Sequence, residues 1–204
     1  MARIYRRKRI TGGPSKYLRI SIIIGLAILL GLWFLNSQGF RRNLYPINHQ
    51  ETIVKHAATQ KIDPLLVAAV IRTESKFHSN ATSRSGALGL MQIMPETAQW
   101  IAEQRGDKDF RKELLFEPDL NIEYGTWYIA NLGKEFDGDL VLVIAAYNAG
   151  RGNVNRWLTE KKWTGEHTTL EQIPFPETRE YVKRVLNNYQ AYRELYPELT
   201  PTSG

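Results

Sequence analysis

The stretch from Asp63 to Pro95 constrains the fold of this chain more than any other. It reads D-P-L-L-V-A-A-V-I-R-T-E-S, then a short polar turn, then S-G-A-L-G-L-M-Q-I-M-P. Asp63 supplies a side-chain cap and Pro64 suits the first helical position, so a helix begins there. Leu65 to Ile71 then run without a polar face, which predicts a helix buried on most sides. Glu74 stands at its far end. Val67, Val70 and Ile71 lie seven, four and three residues before it and share its face. A carboxylate on such a face is costly unless it is paired or protonated. That environment raises a carboxyl pKa and suits a general acid. The plain alternative is a solvated end residue or half of an ion pair, with Arg72 close by.

The next residues sharpen the choice. Gly86 and Gly89 predict a loop with close backbone approach, and Pro95 predicts the start of another helix. Together with motifs in the second half of the chain, this pattern resembles the catalytic core of the soluble lytic transglycosylase family, whose fold is similar to goose-type lysozyme. Four blocks carry the resemblance, in order: Glu74-Ser75, G-A-L-G-L-M-Q-I-M-P from Gly86 to Pro95, A-A-Y-N-A-G from Ala145 to Gly150, and E-T-R-E-Y-V from Glu177 to Val182. Between the second and third, P-D-L-N-I-E-Y-G-T-W-Y resembles the family's linking helix, with Asn121, Gly125 and Tyr128 in place. The resemblance extends from about Gln50 to Tyr196. One departure is His78-Ser79, where the family often has Asn-Pro.

The resemblance implies an all-α, lysozyme-like domain over residues 50–199. It implies a peptidoglycan lytic transglycosylase that needs no cofactor and acts on glycan strands. Glu74 would protonate the β-1,4 glycosidic oxygen after N-acetylmuramic acid. The sugar's acetamido group would help stabilise the anomeric carbon. The same residue would then act as base on the C6 hydroxyl, giving a 1,6-anhydro end. Ser83 would hydrogen-bond near the acetamido group, and Met91 and Gln92 would line the sugar cleft. Tyr147 and Asn148 would place Glu74 and the saccharide, and Tyr181 would hydrogen-bond to Glu74. The plain alternatives are core aromatics for the two tyrosines, a loop cap for Ser83 and a helix C-cap for Asn148. Glycoside hydrolysis normally uses two carboxylates, and the blocks supply one. A hydrolytic muramidase of the same fold and a non-catalytic wall-binding module are the competing readings.

The remaining pattern is helical. Gln50 to Gln60 has apolar residues at helical spacing, with His56 read as solvent-facing. Helices are expected over Pro95 to Arg105, Asp119 to Phe136, Asp139 to Asn148, Asn153 to Glu160 and Glu177 to Tyr196. Asp107 to Phe116 reads as irregular or a short helix. Ile122, Trp127, Tyr128, Ile129 and Leu132 are the expected buried residues of the Asp119 helix. Trp157 reads as core. Residues 161–176 read as loop, punctuated by Pro174 and Pro176. No second histidine stands at metal-ligand spacing, so no metal site is expected.

Charge separates the N-terminus from the rest. Of 27 basic residues, seven lie in the first nineteen positions, which hold no acidic residue. The remainder is about neutral, so the net charge of +6 belongs to a tail and nucleic acid is not an expected partner. Residues 1–17 read as that tail and residues 18–35 as a membrane anchor, in which a snorkelling Arg19 extends the apolar run from Ile20 to Leu35. A cleaved signal peptide is the competing reading, but no small-x-small site comes after the apolar run. The basic cluster predicts a single-pass cell-membrane protein with its N-terminus in the cytoplasm and the catalytic domain outside. Residues 36–49 read as linker, reaching at most ~43 Å from Asn36 to Ile47, and residues 200–204 as a short tail. The absence of cysteine rules out a disulfide framework.

Overall fold

The Asp63 carboxylate accepts a hydrogen bond from the Leu65 amide at 2.8 Å, and Pro64 occupies the first turn. From that cap runs the central helix of a computed structural model that describes residues 16–35 and 37–200. The chain divides after Leu44 into two units. The basic tail over residues 1–15 and the last four residues lie outside the described residues.

The first unit holds α1 (Lys16–Leu35) and α2 (Gln38–Leu44). Helix α1 has 20 residues, about 30 Å of rise, which is the thickness of a bilayer core. Its large apolar side chains, among them Ile23, Leu29, Leu30 and Trp33, are exposed. Helix α2 lies within the stretch read as linker.

The second unit is built from α3 (Gln50–Gln60), α4 (Pro64–Glu74), α5 (Pro95–Arg105), α6 (Pro118–Glu135), α7 (Leu140–Ala149), α8 (Arg151–Thr159) and α9 (Pro176–Leu195). Short 3-10 turns stand at Lys112–Phe116, His167–Gln172 and Pro197–Leu199. The described residues contain no β-strand, only two isolated bridges that join Leu88 to Thr82 and to Ile93. The protein is all-α, as the periodicity predicts.

Helix α4 is the axis. All seven residues from Leu65 to Ile71 are buried. A helix without a polar face needs neighbours on every side. Helix α9 packs along it, and α3 packs on both α4 and α6. Helix α9 presents Thr178, Tyr181, Val182 and Val185 inward at spacings of three and four, followed by Tyr192 and Leu195. Helix α7 packs between α6 and α9, capped by the Asp139 carboxylate on the Val141 and Leu142 amides.

Three expectations about exposure are corrected. His56 is 5 % exposed, and its Nε2 lies 3.0 Å from Asp119 Oδ1. It occupies the same face of α3 as the buried Ile53 and Ala57, so the position dictates burial and Asp119 satisfies the ring. Trp127 and Tyr128 are half-buried, because the inward stripe of α6 runs through Ile122, Gly125, Thr126 and Ile129. Trp157 belongs to the core, as expected, and the loop residue Trp163 is also buried.

Candidate active site

Glu74 is the last residue of α4, where the helix emerges from the core. Tyr181 of α9 donates its hydroxyl hydrogen to Glu74 Oε1 at 2.7 Å. Burial raises the Glu74 pKa from 4.5 to about 7. Tyr181 and the field of Arg184 oppose that rise, while Glu177 adds to it weakly. At neutral pH the carboxyl is therefore balanced between its two forms, the condition for a group that must both give and take a proton. The buried Tyr181 hydroxyl is itself pushed well above its ordinary value, by desolvation first and then by Glu74, so it remains a donor.

The turn after Glu74 is fastened from below. Ser75 Oγ donates to the Leu90 carbonyl at 2.7 Å, tying the end of α4 to the glycine loop. Lys76 and Phe77 both take left-handed backbone angles, with φ of 51° and 65°. Consecutive left-handed residues without glycine are strained and persist only where the surroundings hold them. Buried Phe77 provides that anchor. His78, at the departure from the family pattern, closes the turn with Nδ1 2.6 Å from the Ser75 carbonyl.

The loop from Ala81 to Ile93 forms the floor. Leu88 and Ile93 exchange backbone hydrogen bonds, and the Gly89 amide donates to the Ala81 carbonyl. Gly89 has φ +77°, and a Cβ there would lie 2.1 Å from the Leu115 carbonyl oxygen. Only glycine fits that approach. Asn121 of α6, fully buried, locks the loop: its Oδ1 accepts from the Met91 amide at 2.8 Å, and its Nδ2 donates to the carbonyls of Leu88 and Leu115. The linking-helix pattern includes Asn121, but sequence reasoning assigns it no role.

The other sequence-derived site residues divide into two groups. Gln92, Tyr147 and Asn148 share a pocket of about 190 Å³ with Ile93, Met94, Thr97 and Tyr128. Gln92 is held by its own amide, which donates to the Ala81 and Gly89 carbonyls. The Tyr147 hydroxyl donates to the Met91 carbonyl at 2.9 Å and lies within the field of Glu74. The Asn148 side-chain oxygen accepts from Thr178 Oγ1 at 2.8 Å, which couples α7 to α9. A second pocket of about 260 Å³, lined by Glu96, Thr97, Trp100, Tyr128 and Arg151, shares Thr97 and Tyr128 with the first. Together they form a groove with an aromatic wall, where Trp100 meets Trp127 and Tyr128 edge-on and Arg151 lies over Trp100. Sequence reasoning missed Trp100 and Arg151, which lie outside the recognised blocks.

Met91 departs from its expected place, and Ser83 makes the loop cap weighed as its plain alternative. The Met91 side chain is 0 % exposed and does not line the cleft. It sits under the floor against Gly125, where a Cβ would fall 2.3 Å from Met91 Sδ. Its contribution to the site is the carbonyl that holds Tyr147. Ser83 caps its own loop: Oγ accepts from the Ala87 amide at 2.9 Å and lies 2.9 Å from Ser85 Oγ, while the Ser83 amide donates to the Ala87 carbonyl. These bonds leave the hydroxyl one further hydrogen-bonding position, and Ser83 is partly exposed.

His56, Asp119 and Glu123 place potential ligand atoms within 4.8 Å of one another, a trio the sequence spacing does not reveal. The carboxylates already face cations. Lys55 Nζ lies 3.2 Å from Asp119, and Arg105 pairs with Glu123. A divalent ion would have to displace both.

The architecture has clear counterparts. Residues 51–170 match the family described as the transglycosylase SLT domain, and residues 172–200 match the soluble lytic transglycosylase helical domain. The soluble lytic murein transglycosylase of Salmonella typhimurium is 36% identical over 150 residues, which is 72% of this chain and 23% of that protein. Membrane-bound lytic murein transglycosylase C of Edwardsiella ictaluri is 32% identical over 156 residues, 66% of this chain and 43% of that protein. Among solved structures, an inactive Glu-to-Gln variant of the lytic transglycosylase Slt from Pseudomonas aeruginosa superposes with a TM-score of 0.69 at 35% identity, covering 77% of this chain and 26% of that one. A 70-kDa soluble lytic transglycosylase in complex with bulgecin A gives 0.72 at 30% identity, covering 81% and 27%. This chain spans about a quarter of the length of the first of these relatives. The matched family model covers more than half of the chain and includes Glu74 and the groove, and the chain belongs to the transglycosylase SLT domain family.

Proposed function

We propose that this protein is a peptidoglycan lytic transglycosylase that cleaves the β-1,4 bond between N-acetylmuramic acid and N-acetylglucosamine without water. One observation carries the reading: Glu74 is the carboxyl that burial raises to a pKa of about 7, whereas the other carboxyl of the groove, Glu96, lies exposed in its second pocket. Protonated Glu74 donates to the glycosidic oxygen as the bond breaks. Positive charge develops at the anomeric carbon, where the sugar's acetamido group assists. The resulting Glu74 carboxylate then removes the proton from the C6 hydroxyl of the same sugar. That oxygen attacks the anomeric carbon and closes the 1,6-anhydro ring. The attack is intramolecular and gains from a high effective concentration.

Water would need a base on the opposite face, or a carboxylate nucleophile. Among the described residues, Glu177 is the other carboxylate that perturbs Glu74; it does so least of the four causes, and it is exposed. In this reading Tyr181 orients the acid, Tyr147 and Asn148 shape the wall, and Gln92 and Ser83 offer polar contacts to the sugars. Glu74→Gln should abolish cleavage, and the products should end in 1,6-anhydro-N-acetylmuramic acid. Digestion in ¹⁸O-labelled water and mass spectrometry of the products test this. Labelled reducing ends as the main product would make the protein a hydrolase.

The length and apolar character of α1 support a single-pass membrane anchor, and the basic N-terminal tail supports an extracytoplasmic second unit. Retention in the pellet after alkaline carbonate washing tests the anchor, and a catalytic domain released to the supernatant would count against it.

A further inference from the structure

Helix α9 carries two buried hydroxyls on one face, about one turn apart, and each holds a group of the groove. Tyr181 holds the acid. Thr178, three residues earlier, donates through Oγ1 to Asn148 Oδ1 at 2.8 Å. A threonine inside a helix readily returns its hydroxyl to the carbonyl four residues back, as Thr73 does to Ala69 and Thr159 to Asn155. Thr178 is the third residue of α9, so position 174 lies ahead of the helix, and the hydroxyl turns across the interface to α7 instead. Asn148 is the last residue but one of α7 and lines the pocket of about 190 Å³ with Gln92 and Tyr147. The bond from Thr178 decides which end of its amide faces that pocket. An amide has an accepting oxygen and two donating N–H groups, and a hydroxyl can meet either end. Among the described residues, the acceptor for the Thr178 hydroxyl hydrogen is Asn148 Oδ1. Turning the amide over would strand that hydrogen in the core, which lowers the population of the turned form about 10-fold or more. The oxygen is therefore engaged by α9 and the nitrogen is left to the groove. Among the described residues Nδ2 has no acceptor, yet it is not sealed in the core.

We propose that Thr178 is a positioning residue. It fixes the Asn148 amide so that Nδ2 donates to an oxygen of the saccharide, and this wall of the groove thereby reads an acceptor and not a donor. The inference rests on the proposed function for the identity of the ligand. The acetamido carbonyls and hydroxyl oxygens of an N-acetylated glycan are acceptors of that kind. Thr178 itself is buried and touches no sugar, so its whole effect passes through Asn148. Because Thr178 and Tyr181 belong to one helix, the same rigid element sets the direction of the wall donor and of the acid.

The test is a double-mutant cycle on the full chain in detergent, with soluble oligomers of alternating N-acetylglucosamine and N-acetylmuramic acid. Thr178→Val keeps the branched shape and removes the hydroxyl, Thr178→Ser keeps the hydroxyl, and Asn148→Ala removes the amide. Thr178→Ala repeats the comparison with a smaller side chain. Losing a hydrogen bond made equally in the ground and transition states raises KM and spares kcat, so Thr178→Val should raise KM by about 5-fold to 10-fold. Its alkaline pH limb should stay in place, because the bond from Tyr181 to Glu74 is intact. Thr178→Ser should restore KM. In the Asn148→Ala chain, Thr178→Val should change KM no further, the signature of an effect that acts through Asn148. A KM for Thr178→Val equal to that of the parent, or an increase just as large without Asn148, would overturn the proposal. Calorimetric affinities of the same variants, each also carrying Glu74→Gln, give the cycle without turnover. A parent chain that binds these oligomers without cleaving them would fail the proposed function, and the binding cycle would still judge Thr178. A chain that does not bind them would overturn both.

Discussion

Tyr181 and Glu74 are separated by 107 residues and joined by one hydrogen bond of 2.7 Å. The bond stabilises the ionised carboxyl, so it holds the Glu74 pKa below the value that burial alone would set. Tyr181→Phe removes the donor and leaves the ring. The Glu74 pKa should then rise above about 7. An acid must be protonated to act, so the alkaline limb of kcat/KM should move to higher pH. The rate at the optimum should fall by about 10-fold, because a single orienting bond is lost. A pH profile on purified peptidoglycan reads both effects. An alkaline limb that stays in place would assign it to a group other than Glu74.

Asn121 makes three hydrogen bonds from a fully buried position, and they set the height of the cleft floor. Asn121→Ala leaves the Met91 amide and the carbonyls of Leu88 and Leu115 without these partners. Each buried polar group so exposed to a void costs ~1–3 kcal/mol, so a total of about 3 kcal/mol is expected after partial relaxation. Asn121→Asp should cost at least as much, since a carboxylate would face two carbonyl oxygens. Urea unfolding of the two variants checks the order. If both unfold within about 1 kcal/mol of the parent, the floor does not depend on this residue.

The legible part of this molecule is the part where local and global demands agree. The Asp63-Pro64 start and the unbroken apolar run to Ile71 leave few choices, and α4 forms where the pattern predicts. The position of Glu74 follows from that helix alone, whereas Tyr181 as its partner comes only through resemblance. The misreadings arise where a residue type is a poor guide to direction. His56 is polar yet sits inside because its spacing follows Ile53 and Ala57, a periodic signal that its chemistry masks. Trp127 and Tyr128 are aromatic yet half-exposed, because the inward stripe of α6 runs through Ile122, Gly125, Thr126 and Ile129 beside them. Met91 reads as a cleft residue, but its burial depends on the space left by Gly125 on another helix, which periodicity does not reveal.

Three glycines separate backbone strain from crowding. Gly89→Ala meets both, with φ +77° and a carbonyl oxygen in the way, and should lower stability by several kcal/mol, on the order of 3. Gly125→Ala meets Met91, a side chain that can swing aside, so its cost should be smaller, about 1–3 kcal/mol. It should also tilt the Met91 carbonyl and loosen Tyr147. Gly133→Ala lies in the same helix with open space around it and should be neutral or stabilising by up to ~1 kcal/mol. Thermal melts of the three variants give the ranking. A Gly89→Ala chain as stable as Gly133→Ala would remove the argument for close approach at the floor.

Glu74→Gln provides the last comparison, because the acid's cost to the fold depends on pH. The folded-state pKa is raised from 4.5 to about 7, so the native protein holds a proton that the unfolded chain has released. Between these values the native state binds more protons than the unfolded state, and stability falls as pH rises. The contribution is fully present below pH 4.5 and fully lost above about pH 7. A shift of this size corresponds to ~3 kcal/mol as an upper bound, since one unit is worth about 1.4 kcal/mol. Glutamine keeps the shape, can still accept from Tyr181, and never ionises. The variant should therefore match the parent near pH 4.5 and become more stable than it by up to ~3 kcal/mol at about pH 8. Its melting temperature minus that of the parent, tracked across this range, should climb and then level off above about pH 7. A difference that stays flat with pH would mean that Glu74 titrates alike in the folded and unfolded chains. Burial would then not be what readies the carboxyl to act as an acid.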